Sequence, residues 1–576
     1  MKLLFINPVN YSSGYFMNVV FRVPYLGPYH LARLTPEDID VEVIDEAAVE
    51  FIPEDYEGKA DVAVVSVNFT ASATKGYQVA DKLRSLGLKV IIGGNHASYC
   101  PEEAKRHADS VCIGEADEIW ADIVEDLRKN QLKPLYRAPR LPDLGNVRFL
   151  RKNPLLDAPS INLEYTATMI GKKLGKDTGA KFRKELNIGA GLDANPRKNL
   201  RKLGNLGTSF LSASMDGAFD PILRAPVIGQ VARFVLHKAL QRFMYPAIFK
   251  HVDLHEGVAQ VPLGGYLVKK VVQLGRGCPV DCEFCSVTAF NGKRYRHYKL
   301  DQLVSDIAEL AGDGKGLDRF FVFADDNIVA DPRFAKEFFK EIKPLKVYWY
   351  SQATIQMARD EELLELAADA GCVGIFYGLE TLKQDTLKSV DKGFKVKDYE
   401  EVIKRTHDKG IAVLPAAFVF GLQGDTLEDF KRTADFCVQN RIELPQFSIL
   451  NPLPGTRLWS RLYGDSLPDE SQWERYTFQT VTDPSLVPQG MTPVELVQGW
   501  IDAYRRVVSK DAIKRRIGKA NFRTAFMYAA TYLMNYLYTG AYVYEYGGFL
   551  KYIEESLSNK TWSPQADGRQ QETRLV

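Results

Sequence analysis

The sequence predicts an α/β protein: two successive runs of alternating strand and helix, then a helical tail. Three observations carry this. Short, β-branched, nearly all-apolar segments recur through residues 1–135, separated by helical patterns. A second series of the same kind runs through residues 266–462. In both runs, glycines and polar residues collect where the apolar segments end. Strands that are apolar on both faces belong to parallel sheets covered by helices on either side. A chain of 576 residues exceeds what one ordinary core holds, so roughly two to four domains are expected.

In the first run the strands read as Lys2–Asn7, Val41–Asp45, Asp61–Asn68, Lys89–Ile92 and Ser110–Ile113, and the clearest helix as Thr74–Leu86. Such a sheet is doubly wound, and its ligands sit outside the carboxyl ends of the strands. The turns there are Asn7-Pro8, Ser66–Thr70, Gly93-Gly94-Asn95-His96 and Gly114-Glu115-Ala116-Asp117-Glu118. Glycine at such points lets backbone approach a ligand, since it has no side chain and tolerates positive φ. Met1–Pro8 is too short an apolar run for a signal peptide and reads as a strand.

Residues 136–265 open as a linker punctuated by Pro139, Pro142, Pro154 and Pro159. From Lys172 to Lys202, ten basic residues face Asp177, Glu185 and Asp193. Residues 221–250 mix apolar side chains with Arg224, Arg233, Lys238 and Arg242. A basic amphipathic helix of this kind either lies on an anionic membrane surface or covers a docked face with solvated charge.

In the second run an apolar strand, Val268–Leu274, delivers a cysteine-bearing loop. Helix Leu300–Ala311 and strand Arg319–Phe323 follow. Next come helix Pro332–Ile342, strand Lys346–Gln352, and helix Glu361–Ala370, started by Asp360 and stopped by Gly371. Strand Val373–Tyr377, helix Val396–Lys409, strand Ile411–Phe420, helix Leu427–Asn440 and strand Gln446–Leu450 complete the set. In the tail, residues 524–544 carry no charged side chain but six tyrosines. Tyrosine prefers a site with one wet end, so this stretch reads as the wall of a large apolar cavity, a helix at a membrane surface, or an ordinary buried helix. The polar end, Ser563–Val576, reads as frayed.

Charge excludes little but weakens one class. With 74 basic and 73 acidic residues there is no global attraction to polyanions, and nucleic acid is not an expected partner. Seven cysteines, three of them in one loop, do not form a disulfide framework, and free thiols fit a reducing cytoplasm.

That loop, Gly275–Cys285, spaces Cys278, Cys282 and Cys285 as C-x3-C-x2-C. Three thiolates so close can hold three irons of a [4Fe–4S] cluster and leave one iron open. Structural zinc sites pair C-x2-C units with a second pair or with histidines downstream, and no such pair is present.

The motif and its frame, from Val268 to Leu462, resemble the radical S-adenosylmethionine (SAM) superfamily. The first run has Gly-Gly-x-His after the fourth strand and Gly-Glu-x-x-Glu after the fifth. In this it resembles the cobalamin-binding domain found ahead of many radical SAM domains. The resemblance implies a doubly wound (Rossmann-like) cobalamin-binding domain at 1–135 and a linker with a basic insertion at 136–265. It further implies a partial (β/α)6 radical SAM barrel at 266–462 and a helical C-terminal domain at 463–576. Cys278, Cys282 and Cys285 would hold the cluster. Phe284, Asp325, Asp326, Gln352, Glu380, Gly421 and Gly424 would contact SAM. Asn7, Ser66, Asn68, Gly93, Gly94, His96, Gly114 and Glu115 would contact cobalamin. The Asp-x-His-x-x-Gly pattern that supplies a cobalt ligand is absent, so His96 is expected in the turn or hydrogen-bonded to the cofactor. Tyr295, Arg296 and His297, which follow the cluster loop, either orient SAM or substrate or are simply its exposed end.

The activity implied is a cobalamin-dependent radical SAM methyl transfer to an unactivated carbon of a lipid, isoprenoid or tetrapyrrole. An electron donor such as a flavodoxin or ferredoxin would be needed, and the setting would be cytoplasmic with possible peripheral membrane contact. Cobalamin-associated ring formation or C–C coupling is the first alternative. Methylthiotransferases, the second, carry three further N-terminal cysteines that are not seen here. A cobalamin- or redox-sensing module, the third, would need no intact SAM site.

Overall fold

In the computed structural model, residues 1–9, 23–160, 268–314, 316–477 and 481–517 are described, with residues 162, 165, 166, 168, 169, 172, 264–266, 531 and 535 as isolated positions. The basic amphipathic stretch at 221–250 and nearly all of 524–544 lie outside the described residues.

Two all-parallel sheets form the molecule's frame. The first joins β1 (Lys2–Asn7), β2 (Asp40–Asp45), β3 (Val62–Ser66), β4 (Lys89–Gly93), β5 (Ser110–Ile113) and β6 (Leu135–Arg137), in the spatial order β2-β1-β3-β4-β5-β6. Its direction of progression reverses between β1 and β3, the point where an open parallel sheet leaves a crevice for a ligand. Five strands stand where the apolar segments predict them. The sixth, a three-residue edge strand after Pro134, falls in what reads as linker.

The second sheet joins β7 (Val271–Val272) to β10 (Phe320–Phe323), β11 (Tyr348–Ala353), β12 (Cys372–Glu380), β13 (Ala412–Phe420) and β14 (Pro445–Ile449), in unbroken sequence order. This is the partial parallel barrel that the sequence predicts. One strand differs: β7 keeps only two of the seven residues expected over Val268–Leu274. The backbone N–H groups of Leu274 and Gly275 donate to the Asp325 carboxylate at 2.8 and 2.9 Å instead of continuing a ladder. Gly275–Arg276 (β8) then pairs antiparallel with Arg296–His297 (β9). A buried carboxylate thus pulls the chain out of the sheet just before the cysteines.

Both faces of the first sheet are buried. Leu3, Phe5, Trp120 and Ile123 pack on one side. Leu4, Ile6, Tyr77 and Leu83 pack on the other, joined there by Trp459, Tyr463, Trp473 and Tyr476 from far along the chain. Helix Pro493–Val508 lies on the second sheet instead, where Trp500 Nε1 donates to the Phe447 carbonyl at 2.8 Å. The described part of the expected C-terminal domain is therefore shared between the two sheets. No helix among the described residues is long and apolar enough to cross a membrane.

Candidate active site between the two sheets

The carboxyl ends of both sheets face one cavity of about 650 Å³. Leu453, Pro454, Tyr476 and Thr477 from the segment beyond β14 complete its described lining.

One wall is built from the segments flanking the cysteine loop, Arg276 at its start and Ser286, Val287, Phe290 and Asn291 after it; the three cysteines are not among the lining residues. In the loop, Gly277 stands at φ +94°, where a side chain would lie 2.4 Å from the Arg294 carbonyl oxygen. Cys278 N–H donates to the Gly292 carbonyl at 3.2 Å, and Cys285 N–H to that of Cys282 at 3.1 Å. All three thiols are free. Burial pushes them up, Cys282 to about 12 and Cys285 to about 11. Backbone N–H groups oppose that shift, from Val280 toward Cys278 and from Val287 and Thr288 toward Cys285. The Asn327 amide stands 3.8 Å from the Cys278 sulfur. Thiols that are buried, close enough to influence one another's charge and supplied with N–H donors fit the ligands of an iron–sulfur cluster. Among the described residues no three His, Cys, Asp or Glu side chains converge on a single-ion site.

The residues expected around SAM divide. Asp326 and Gln352 line the cavity. Burial lifts the Asp326 carboxyl to about 6, and the Asn291 amide donates to it at 3.4 Å. Asp325 does not line the cavity. It is fully buried and spent on Leu274, Gly275 and the Tyr295 hydroxyl, the last at 2.8 Å. Glu380 is paired with Lys392. Gly421 and Gly424 shape a turn at φ +87° and +81°, in which Asp425 accepts from the Gly421 and Leu422 N–H groups. Phe284 is half-buried and outside the cavity wall.

All eight residues expected around cobalamin line the opposite wall, yet several are already engaged. Asn7 donates to Asp45 at 2.8 Å. His96 is 1% exposed. Its ring nitrogens face Thr70 and Glu103 at 3.4 and 3.3 Å, and Trp473 Nε1 closes the triad on Glu103 at 2.9 Å. His96 therefore ties the segment beyond β14 to the first sheet. His30, the other histidine of the lining, is bound to Asp117 at 2.7 Å. The rest of this wall is a fringe of hydroxyl, amide and backbone groups from Ser66, Asn68, Thr70, Gly93 and Asn95, in which Asn68 donates to Ser66 and accepts from the Asn95 N–H at 3.3 Å. Such uncharged donors and acceptors fit a corrin edged with amides. Gly94, at φ +112°, is required by its neighbours: a Cβ would stand 2.6 Å from Asn68 Oδ1 and 2.7 Å from the Val67 carbonyl oxygen. Gly94→Ala is expected to open this turn at a cost above ~1 kcal/mol and to weaken cobalamin binding, read by spectrophotometric titration.

Sequence reasoning missed the groups that join the walls. Arg276, two residues before Cys278, donates to Glu115 at 2.6 Å and to Asp117 at 2.7 Å. Arg296 reaches the other Glu115 oxygen at 2.6 Å. The acids are 2% exposed and the arginines 11%. Burial alone would raise the Asp117 carboxyl, but Arg276 and His30 hold it well below the usual carboxylate range. Glu115, expected at the cofactor, belongs to this network. Of the three residues after the loop, Tyr295 holds Asp325, Arg296 holds Glu115, and His297 stacks on Phe334 at 3.8 Å. Gly-Arg-Gly ahead of the first cysteine and two acids in Gly-Glu-Ala-Asp-Glu were the available signal.

Known families match both halves of this arrangement. Residues 272–437 match the radical SAM superfamily and residues 13–124 the B12 binding domain. The chain is a radical SAM enzyme with an N-terminal B12-binding domain. Its cofactors are accordingly a [4Fe–4S] cluster, SAM and cobalamin. Among curated relatives, the bacteriochlorophyllide d C-12(1)-methyltransferase of Chlorobaculum tepidum is 26% identical over 522 residues, covering 90% of this chain and 89% of its own. The C-8(2)-methyltransferase of the same organism is 24% identical, covering 77% of each chain. In fold, the radical SAM methyltransferase TsrM of Kitasatospora setae, solved with tryptophan and a SAM analogue, superposes on this radical SAM enzyme with a TM-score of 0.52 at 14% identity, over 97% of this chain and 99% of the other.

Proposed function

We propose that this radical SAM enzyme is a cobalamin-dependent C-methyltransferase acting on an unactivated carbon of a large apolar or amphiphilic molecule, with a tetrapyrrole favoured. The observation that carries the reading is the shared cavity, whose lining joins the segments on either side of the thiol loop to the amide-fringed turns of the first sheet. The names of the two Chlorobaculum tepidum relatives support the substrate class. Cys278, Cys282 and Cys285 would hold the cluster, Asp326 and Gln352 would receive SAM, and the turns at 66–70, 93–96 and 114 would cradle cobalamin. When bound, these groups supply radical chemistry at an inert C–H bond and a methyl group for the resulting carbon.

The chain's own part is binding and exclusion. Val271, Val287, Phe290, Leu453 and Pro454 give the cavity an apolar wall that keeps water from a reactive centre. Asp326, with no cation beside it among the described residues, offers a carboxylate to the amino group of SAM, and the Asn291 amide donates to that carboxylate. A hydrogen bond between charged partners contributes about 1.5–3 kcal/mol. Asp326→Asn is therefore expected to weaken SAM binding roughly 10- to 150-fold, measured by equilibrium dialysis on the reconstituted protein. Only the ionised carboxylate serves, and burial has lifted this group to about 6. In the wild type, affinity should fall about tenfold per unit as pH drops below that value, and the Asn variant should lose this slope.

The deciding assay combines anaerobic reconstitution, cobalamin, a low-potential reductant, methyl-deuterated SAM and a bacteriochlorophyllide. A product heavier by one labelled methyl in place of hydrogen supports the proposal. A product lighter by two hydrogens and unlabelled points to ring formation. Labelling of an isoprenoid but no tetrapyrrole would overturn the preference for a tetrapyrrole.

A further inference from the structure

We infer that the buried Lys392–Glu380 pair sets the reduction potential of the iron–sulfur cluster at Cys278, Cys282 and Cys285. The inference rests on the assignment of the cluster to those cysteines and goes beyond it.

Several independent features converge on this pair. Glu380, the last residue of β12, takes φ +64°, a left-handed conformation that a residue with a side chain rarely adopts. Strain of this kind persists where the surroundings over-determine it and gathers at functional sites. Gly378 makes the room: a Cβ there would lie 2.6 Å from Glu380 Oε1 and 2.8 Å from Lys392 Nζ. Lys392, 6% exposed, donates to Glu380. Arg457 fixes the turn that carries the lysine. Its Nη2 donates both to the Asp391 carboxylate, at 2.7 Å, and to the carbonyl of Asp281, between Cys278 and Cys282. The ammonium's field reaches the sulfurs. It opposes the effect of burial on Cys278 and Cys282, and it is itself favoured by Cys282 and Cys285.

An ammonium has three donors, and Glu380 takes one. Among the described residues Lys392 donates to Glu380 alone, which leaves donors for a cluster's sulfurs. Cluster potentials follow net charge, hydrogen bonds to sulfur and exposure, and in a dry site a nearby unit charge acts strongly. Reduction adds one electron, so a cation favours the reduced state and a carboxylate opposes it. The two partners therefore act with opposite sign, and Glu380 is a positioning residue that also tempers the lysine.

The test is a potentiometric titration of the reconstituted holoprotein, followed by electron paramagnetic resonance with and without SAM, after iron and sulfide have been quantified. Lys392→Met is expected to lower the reduced-to-oxidised ratio at a fixed potential about tenfold, a shift of ~59 mV for a one-electron couple. Glu380→Gln should raise it, and Lys392→Arg should stay closest to wild type. If Lys392→Met fails to hold a cluster, the sign of the Glu380→Gln shift still decides. Shifts in the same direction for both variants would overturn the inference. So would unchanged potentials with weakened SAM binding in Lys392→Met, which would make the lysine a partner of the SAM carboxylate. A wild-type protein that takes up no iron would overturn the cysteine assignment, and this inference with it.

Discussion

Replacing Arg276 by Met is expected to loosen the junction between the two sheets by about 3–5 kcal/mol, the cost of stripping one partner from a buried ion pair. Arg276 sits between Glu115 and Asp117, with the Tyr298 hydroxyl at 2.9 Å and His30 at 3.2 Å. Without it, two nearly inaccessible carboxylates keep only Arg296 and His30. A chain of several packed units does not unfold in one step, so local opening is the measure to use. Amide hydrogen exchange across the β8–β9 ladder should quicken by roughly two to four orders of magnitude. Unchanged exchange there would remove the network from any account of how the walls are joined. The pH dependence has a definite sign. A carboxylate held below its ordinary value stabilises the fold fully above the unfolded value of about 3.9, and that contribution fades as pH falls further. The gap between wild type and variant should therefore be flat through neutrality and shrink only in acid.

The network also shows which part of a site is legible in a sequence. Helices Leu300–Ala311 and Pro332–Ile342 are readable to the residue, because local chemistry ends them. Asp331 caps the second through the N–H groups of Arg333 and Phe334, and Gly312 stops the first at φ +48°. The position and type of Glu115, Asp325 and Glu380 are equally legible, since acids at strand ends are conspicuous. Their partners are not. Glu115 finds its arginines 161 and 181 residues away, and Asp325 binds backbone 50 and 51 residues back. Asp325 and Glu380 lie outside the cavity lining, and Glu115 lines it with its carboxylate already bound to two arginines. The same long-range competition shortens β7: an apolar run can announce a strand but not that a distant carboxylate will draw its backbone away. The edge strand β6 is hidden for a different reason. Three residues behind a proline carry too little pattern to register.

Cys282→Ala is expected to have the most complete effect, and its selectivity is what makes it informative. Of the three cysteines it is the most buried, and burial pushes its thiol up to about 12. An unmetallated protein therefore gains little from this sulfur beyond packing, and truncation to Ala should leave both sheets folded. A cluster needs it as thiolate, and two remaining cysteines cannot carry three irons. Iron content after anaerobic reconstitution should fall to background, with no 5′-deoxyadenosine formed from SAM under reducing conditions. Cobalamin uptake should persist, because the cradle proposed for it at 66–70 and 93–96 belongs to the other sheet and shares no side chain with the loop. That separation distinguishes loss of the cluster from loss of the fold, which would abolish both. A Cys282→Ala protein that kept its iron and still cleaved SAM would mean that the three sulfurs are not the ligands, and the assignment of this wall of the cavity would have to be abandoned.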